Sequence, residues 1–433
     1  MIIEYVGAEE IVGSILQIKS KKAFFGERVI IKKAGEKSRN GQVISIMDDR
    51  AYIQVFEGTT GFSLTNIKTE LTGVPFRLKL SKDMLGRVFD GIGNPIDGLG
   101  EIETQTEWDI EKPAINPQSR DYPRGFIQTG ISSIDLLASL VRGQKLPIFS
   151  TEGLAHDKLA TQIVAQSTIL NQQDNENYIV FAGIGLKSDT YHFFKNTFEE
   201  MGSDRLITFL NLALSPVAER LLIPKVALTA AEYLAFQLGK HVTVIMTDMT
   251  AYCEAMREMS ATRGEVPGRK GYPSYMYSQL SSIYERAGIM KGKLGSVTIV
   301  PILTMPSGDI THPIPDLTGF ITEGQIVLSK NINAYPPVDI LPSLSRLMKD
   351  AIGKGKTTEN HPDIAKQIFS AYAKVVQIRD LAQIIGEEEL SQTDKNYLRF
   401  GQQFEKTFLD QGQKENRTIK QTISIAEELL RII

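Results

Sequence analysis

Between residues 126 and 328 the chain repeats one pattern, a short apolar run followed by a stretch of helical period. The runs at 145–149, 178–182, 206–210, 242–247 and 297–304 have strand length and almost no polar interruption. Helical stretches such as 221–238 and 252–259 lie between them. A strand that is apolar on both faces has to be covered on both faces. Helices alternating with strands supply that cover, and crossovers of this kind make neighbouring strands parallel. The segment is therefore predicted to form an α/β domain with a mostly parallel sheet. In such sheets ligands bind in the crevice beyond the carboxyl ends of the strands.

The flanks read differently. Residues 1–75 carry short β-rich runs (28–31, 41–46, 51–56) separated by Gly, Asp and Asn turn signals, the pattern of a small β-barrel. Barrel closure leaves no sheet edge open. Beyond residue 360 the chain is helical at His361–Ile385, 394–411 and 418–430. A length of 433 residues suits about three domains. The expected division is a β-barrel at 1–75, an α/β domain at 76–345 and a helical domain at 346–433. Lys and Arg number 48 against 51 Asp and Glu, a formal net charge of −3, which argues against nucleic acid as a partner. One cysteine, Cys253, excludes a disulfide framework. Glu4, Glu9 and Glu10 fall where a signal peptide would be basic and then apolar. Lys225 and Glu232 break the most apolar long stretch, 221–238. These features predict a soluble, intracellular chain that reaches a membrane only through partners.

Residues 145–164 read Lys-Leu-Pro-Ile-Phe-Ser-Thr-Glu-Gly-Leu-Ala-His-Asp-Lys-Leu-Ala-Thr-Gln-Ile-Val, a strand, a glycine-bearing loop and a helix. That is the layout of a P-loop, GxxxxGK[ST], whose glycines let backbone amides cradle phosphates while Lys reaches the β/γ oxygens. With Gly153 as the inner glycine, Ser150 and Ala155 take the flanking glycine positions. Leu154 follows Gly153, His156 stands where Lys belongs, and Asp157 where the Mg²⁺-holding hydroxyl belongs. A mostly neutral imidazole replaces a fixed cation, and a carboxylate faces the phosphate. The loop is a degenerate P-loop or an ordinary strand–turn–helix, and on either reading does not run phosphoryl transfer.

Asp248 ends the strand at 242–247, where an acid either helps to hold Mg²⁺ or caps the next helix. Gly353-Lys-Gly-Lys-Thr357 lacks the first glycine of a P-loop, Asp350 standing there, and reads as a mobile basic loop. Leu341-Pro-Ser-Leu-Ser-Arg-Leu347 presents one arginine on a short loop, either a surface cation or a finger for developing phosphoryl charge. The run from Glu254 to Pro273 carries charges for solvent or for a subunit interface. Asp90, Asn94 and Asp97 lack EF-hand spacing and suit turns. Five scattered histidines show no metal-ligand spacing, and His312 before Pro313 reads as structural. No metal site is expected.

Taken in order, several segments resemble the B subunit of the vacuolar-type and archaeal-type rotary ATPases. They include Phe56-Glu-Gly-Thr-Thr-Gly-Phe62, Gly86-Arg-Val-Phe-Asp-Gly91, Phe126-Ile-Gln-Thr-Gly-Ile-Ser-Ser-Ile-Asp135 and Val141-Arg-Gly-Gln-Lys-Leu-Pro147. Further on come Ile245-Met-Thr-Asp-Met-Thr250, Tyr284-Glu-Arg-Ala-Gly288 and Thr311-His-Pro-Ile-Pro-Asp-Leu-Thr-Gly319. The likeness spans essentially the whole chain and implies a multidomain α/β protein: an N-terminal β-barrel, a central RecA-like P-loop NTPase domain and a C-terminal helical domain. Ala155, Asp157 and Lys158 depart from the wording common in relatives. The short ends fit a prokaryotic member.

The resemblance implies a non-catalytic regulatory subunit of the soluble head, three copies alternating with three catalytic A subunits. Catalytic relatives read Gly-Glu-Arg where this chain has Gly185-Leu186-Lys187, so the water-orienting carboxylate is also lost. Arg346 matches the family's arginine finger, with Ser343 and Ser345 shaping its loop. The implied ligands are ATP or ADP with Mg²⁺ at the interface with the A subunit, and none held by this chain alone, which is expected to be inactive by itself. Asp248 keeps a structural or interfacial role. The other implied partners are the central and peripheral stalks, with the membrane rotor reached only indirectly, and the place is the cytoplasmic face of a membrane. The competing readings are an autonomous ATPase in a homo-oligomeric ring, and a scaffold in which Arg346 is incidental.

Overall fold

A computed structural model describes residues 3–170 and 177–433. The chain divides into two compact units. One comprises Met1–Ala114, Val180–Tyr233 and Asp248–Ile283; the other comprises Ile115–Ile179, Leu234–Thr247 and Tyr284–Ile433.

In the first unit the N-terminal residues form a seven-stranded sheet, antiparallel throughout. The predicted strands at 28–31, 41–46 and 51–56 are Glu27–Lys33, Arg39–Met47 and Arg50–Val55. The two outermost strands, Ile3–Val6 and Glu10–Val12, are joined by residues 7–9 alone. Laid flat, they would stand six strand spacings apart, about 29 Å. Four Cα–Cα steps reach only about 15 Å, so the sheet curls, and Leu16, Val29, Ile31, Val43, Ile53 and Val55 fill its inside. In the same unit Leu206–Leu212 runs parallel to Val88–Phe89, and the helices Val217–Glu232 and Met249–Thr262 carry its α/β portion. Asp90, Asn94 and Asp97 make turns as expected. Asp90 Oδ1 accepts from the amides of Ile92 and Asn94, at 3.0 and 2.8 Å. Arg87 pairs with Asp97, lowering its carboxyl to about 2 against the effect of burial.

In the second unit five strands lie in the order Val338–Ser345, Gly324–Leu328, Ile148–Ser150, Ser296–Thr304 and His241–Thr247. All neighbours are parallel except the first pair. The strand expected at 145–149 is shorter and later because Pro147 has no N–H to give the ladder; Lys145 joins through a bridge to Ile299. The strand expected at 178–182 runs on to Leu186. The helical stretch at 221–238 ends at Glu232 and passes into a wider five-residue turn, Tyr233–Gln237, closed by Lys240 N–H on the Leu234 carbonyl. The stretch at 394–411 likewise splits into Gln392–Gln403 and a wider turn, Phe404–Leu409. Phe400, Phe404 and Phe408 recur every four residues and bury one stripe, with Tyr372 of the helix His361–Ile385 packed on Phe404. Thr418 caps the last helix, Ile419–Leu430, through a capping box with Gln421.

Candidate functional site

The degenerate loop follows Ser150 at the carboxyl edge of the second unit's sheet. Gly153 has φ +88°, a left-handed conformation suited to glycine. His156 opens the helix His156–Gln166, with Asp157 in its first turn. Its imidazole folds back instead of reaching into the loop. Nδ1 lies 3.0 Å from the Ser150 hydroxyl and Nε2 lies 3.5 Å from the Asp157 carboxylate. Neither side chain can do what the lysine and hydroxyl of a P-loop do. One cation missed by the sequence reading stands nearby. The Nζ of Lys330 lies 3.9 Å from where a Cβ on Gly153 would sit. Lys330 follows the strand Gly324–Leu328 and lies 177 positions beyond Gly153, so no linear spacing marks it.

Leu186, the second departure expected from the sequence, belongs to the first unit. It is buried, and its side chain folds over Gly183, filling the space a Cβ there would need. Asp248 caps the helix Met249–Thr262, accepting from Thr250 N–H at 2.8 Å. The capping alternative for this strand-end acid is thus the one observed. His312 has the structural role expected of it, accepting from Ile314 N–H at 3.4 Å at the start of the helix Pro313–Ile321. Gly353-Lys-Gly-Lys-Thr357 follows a short 3-10 turn, Met348–Asp350, rather than a strand. Thr357 Oγ1 accepts there from Gly353 N–H at 2.9 Å.

Arg346 stands at the opposite edge. The strand Val338–Ser345 runs against Gly324–Leu328 with a break in register between Gln325 and Val327. Pro342 has no N–H for the ladder there. Ser343 repairs the gap, its hydroxyl accepting from Val327 N–H at 2.9 Å. Gly324, at φ +139°, lets the two strands meet; a Cβ would fall 2.2 Å from the Leu344 carbonyl oxygen. The Ser345 hydroxyl accepts from Gln144 Nε2 at 2.9 Å, and Arg346 N–H donates to Glu323 O at 2.9 Å. Behind these contacts the Lys145 ammonium bridges Glu285 and Glu323 at 2.7 and 2.8 Å, and Arg120 holds the other oxygen of Glu285 at 3.0 Å. The backbone of Arg346 is therefore fixed. Its side chain is exposed and, among the described residues, makes no hydrogen bond, ion pair or ring contact. Sequence reasoning singled out Ser343, Ser345 and Arg346 but not Gln144, Lys145, Glu285 and Glu323, which distant segments bring beside them.

The two sites do not meet. Arg346 lies level with Glu323, while Ser150 lies level with Leu328 by extension of the Phe149–Val327 pair. Five residues of strand, about 16 Å, separate these levels, and the loop and the finger project beyond them in opposite directions. Among the described residues no group of three or more His, Cys, Asp or Glu could hold a metal ion, and no helix is long and apolar enough to cross a membrane.

Fold and motifs meet their counterparts in known proteins. Residues 9–65 match the β-barrel domain of the ATP synthase alpha/beta family, residues 130–345 its nucleotide-binding domain, and residues 350–433 the C-terminal domain of V and A type ATP synthase. The architecture is thus that of the ATP synthase alpha/beta class: β-barrel, nucleotide-binding domain, helical domain. The V-type ATP synthase beta chain 2 of Clostridium tetani is 52% identical over 99% of this chain and 95% of its own length. The V-type ATP synthase beta chain of Thermotoga neapolitana is 53% identical, over 99% and 94%. Among solved structures, the ATP synthase subunit NeqB from Nanoarcheaum equitans superposes with a TM-score of 0.77 at 37% identity, over 96% of this chain and 98% of that one. The chain belongs to the V-type ATP synthase beta-chain family, whose business is ATP synthesis and ion transport.

Proposed function

We propose that this chain is the non-catalytic, regulatory B subunit in the soluble head of a V/A-type rotary ATPase. Three copies alternate with three catalytic A subunits, and Arg346 of each completes a neighbour's Mg-ATP pocket in trans. The supporting observation is the placement of Arg346 at the sheet edge opposite the chain's own loop, rigid in backbone and free in side chain. A finger so placed has no nucleotide of its own chain to act on. Its fixed charge and planar fork suit the equatorial oxygens of a transferring phosphoryl group. Such a finger supplies ~10³–10⁵ in rate.

The chain's own loop does not fit Mg-ATP in the catalytic manner. His156 is held on Ser150, Asp157 replaces the metal-binding hydroxyl, and Leu186 replaces the carboxylate that orients water. An autonomous ATPase would need a Lys and a Glu at positions 156 and 186. The nucleotide and its Mg²⁺ therefore belong at the interface with the A subunit. Domain limits at 75 and 345 put the finger at the junction with the helical domain, which meets the stalks and couples turnover to H⁺ or Na⁺ movement. The chain then sits peripherally on the cytoplasmic face of the membrane. The test is steady-state Mg-ATP turnover by the purified chain alone, with circular dichroism confirming the fold. No turnover is expected. Turnover that follows the protein through purification would overturn the non-catalytic assignment.

A further inference from the structure

A cluster of cations lies at the amino edge of the second unit's sheet, away from the degenerate loop. Asp121, Arg124, Arg142, Gly239, His241, Ile289, Lys293 and Leu294 line an open surface cavity of about 540 Å³. Arg142 is one of the residues lining it. Its backbone is pinned on both sides: its own N–H donates to Gly125 O at 2.9 Å, and Gly143 N–H donates to Thr298 Oγ1 at 2.8 Å. Gly125, at φ +99°, passes over the guanidinium so closely that a Cβ would come 3.4 Å from Nε.

The charge on this guanidinium is not balanced. Arginine nitrogens only donate, so the 3.1 Å contact between Arg142 Nη1 and His241 Nε2 makes Nε2 the acceptor. The proton of that imidazole then sits on Nδ1, 3.0 Å from Ser296 Oγ. Burial and the neighbouring Arg142 charge hold His241 down to about 4, so it stays neutral at ordinary pH. Arg142 Nε is buried and, among the described residues, has no hydrogen-bond partner. The carboxylate lining the cavity, Asp121, is already paired with Arg124 at 2.8 Å. Lys293 is exposed and, among the described residues, makes no ion pair. Three cations thus face one engaged carboxylate. A half-buried guanidinium without an anion is costly, and its fork matches phosphate and carboxylate oxygens.

We propose that this cavity binds a phosphate-type oxyanion on Arg142, with Lys293 and Arg124 at its rim. The oxyanion is either free phosphate or the phosphoryl end of a nucleotide. It bonds the Nη donors that the His241 contact leaves free, not the buried Nε, and supplies the countercharge the fold omits.

The test is calorimetric titration of the full chain with inorganic phosphate, pyrophosphate and ADP, each at constant ionic strength set with chloride. Saturable phosphate binding is expected, weakened at least tenfold in Arg142→Met and several-fold in Lys293→Met, with unchanged circular dichroism. Lys293 is exposed, so its variant carries the test if Arg142→Met does not fold. ADP competing for the same site and binding tighter identifies a nucleotide phosphoryl group; phosphate binding without ADP competition identifies the free ion. Either supports the proposal. Absence of saturable binding by all three anions would overturn it and leave a partner's carboxylate as the countercharge. Binding unaltered in both variants would overturn it as well.

Discussion

Lys145 offers a sharp test of how the edge carrying Arg346 is held. It is 5% exposed and bridges Glu285 and Glu323. Its own N–H also donates to Glu323 at 2.7 Å. Lys145→Met keeps most of the side-chain volume and removes the charge. Deleting one partner of a fully buried ion pair costs ~3–5 kcal/mol. Here the carboxylates are partly hydrated, with side-chain exposures of 34% and 27%, and each keeps another donor. That recovers roughly half, leaving a loss of ~2 kcal/mol. Because the chain has two units, the suitable assay is local: amide hydrogen exchange in Gly324–Leu328 and Val338–Ser345. A loss of this size speeds exchange ~30-fold. Glu323→Gln added to Lys145→Met should cost less than the two changes separately, since both remove one interaction. Exchange within threefold of wild type, or full additivity, would refute the reasoning.

Two further outcomes follow from groups buried beside the helical segment. His361 is fully buried, its Nε2 meeting Leu136 O at 3.2 Å and its Nδ1 meeting Thr357 Oγ1 at 3.1 Å, and burial holds its pKa to about 4. Between pH ~6.5 and 4 the unfolded chain holds this proton and the folded one does not. Stability should therefore fall across that window by ~3 kcal/mol from this group, and unfolding free energies of His361→Gln should show a shallower slope there; an unchanged slope would contradict it. Phe404 is fully buried against Phe400, Phe408 and Tyr372, so Phe404→Ala should cost ~3–5 kcal/mol and expose the C-terminal helices to limited proteolysis, whereas a wild-type cleavage pattern would contradict the packing.

Much of the fold was legible because the apolar runs state their own environment. The strands at 242–247 and 297–304 are apolar on both faces, and burial on both faces is what a central parallel strand provides. Boundaries failed where a local feature outweighed the pattern. Pro147 shortened one strand, and residues 233–237 and 404–409 kept a helical period while widening their hydrogen bonding. The departures from a P-loop at His156 and Asp157, and Leu186 after Gly185, were also visible, because they fall within contiguous motifs. The support of Arg346 was not. Gln144, Glu285 and Glu323 converge from segments up to 179 positions apart, and only the strand register brings them together. The cavity at Arg142 was hidden for the same reason.

The central claim is that Arg346 works on a neighbour's nucleotide. It is tested most directly by assembling this chain, as wild type or Arg346→Ala, with the catalytic A-type subunit proposed as its partner and measuring Mg-ATP turnover of the isolated complex. The account predicts normal assembly with kcat reduced ~10³-fold or more and little change in KM. Assembly with turnover near wild type would contradict it and leave Arg346 as an incidental surface residue.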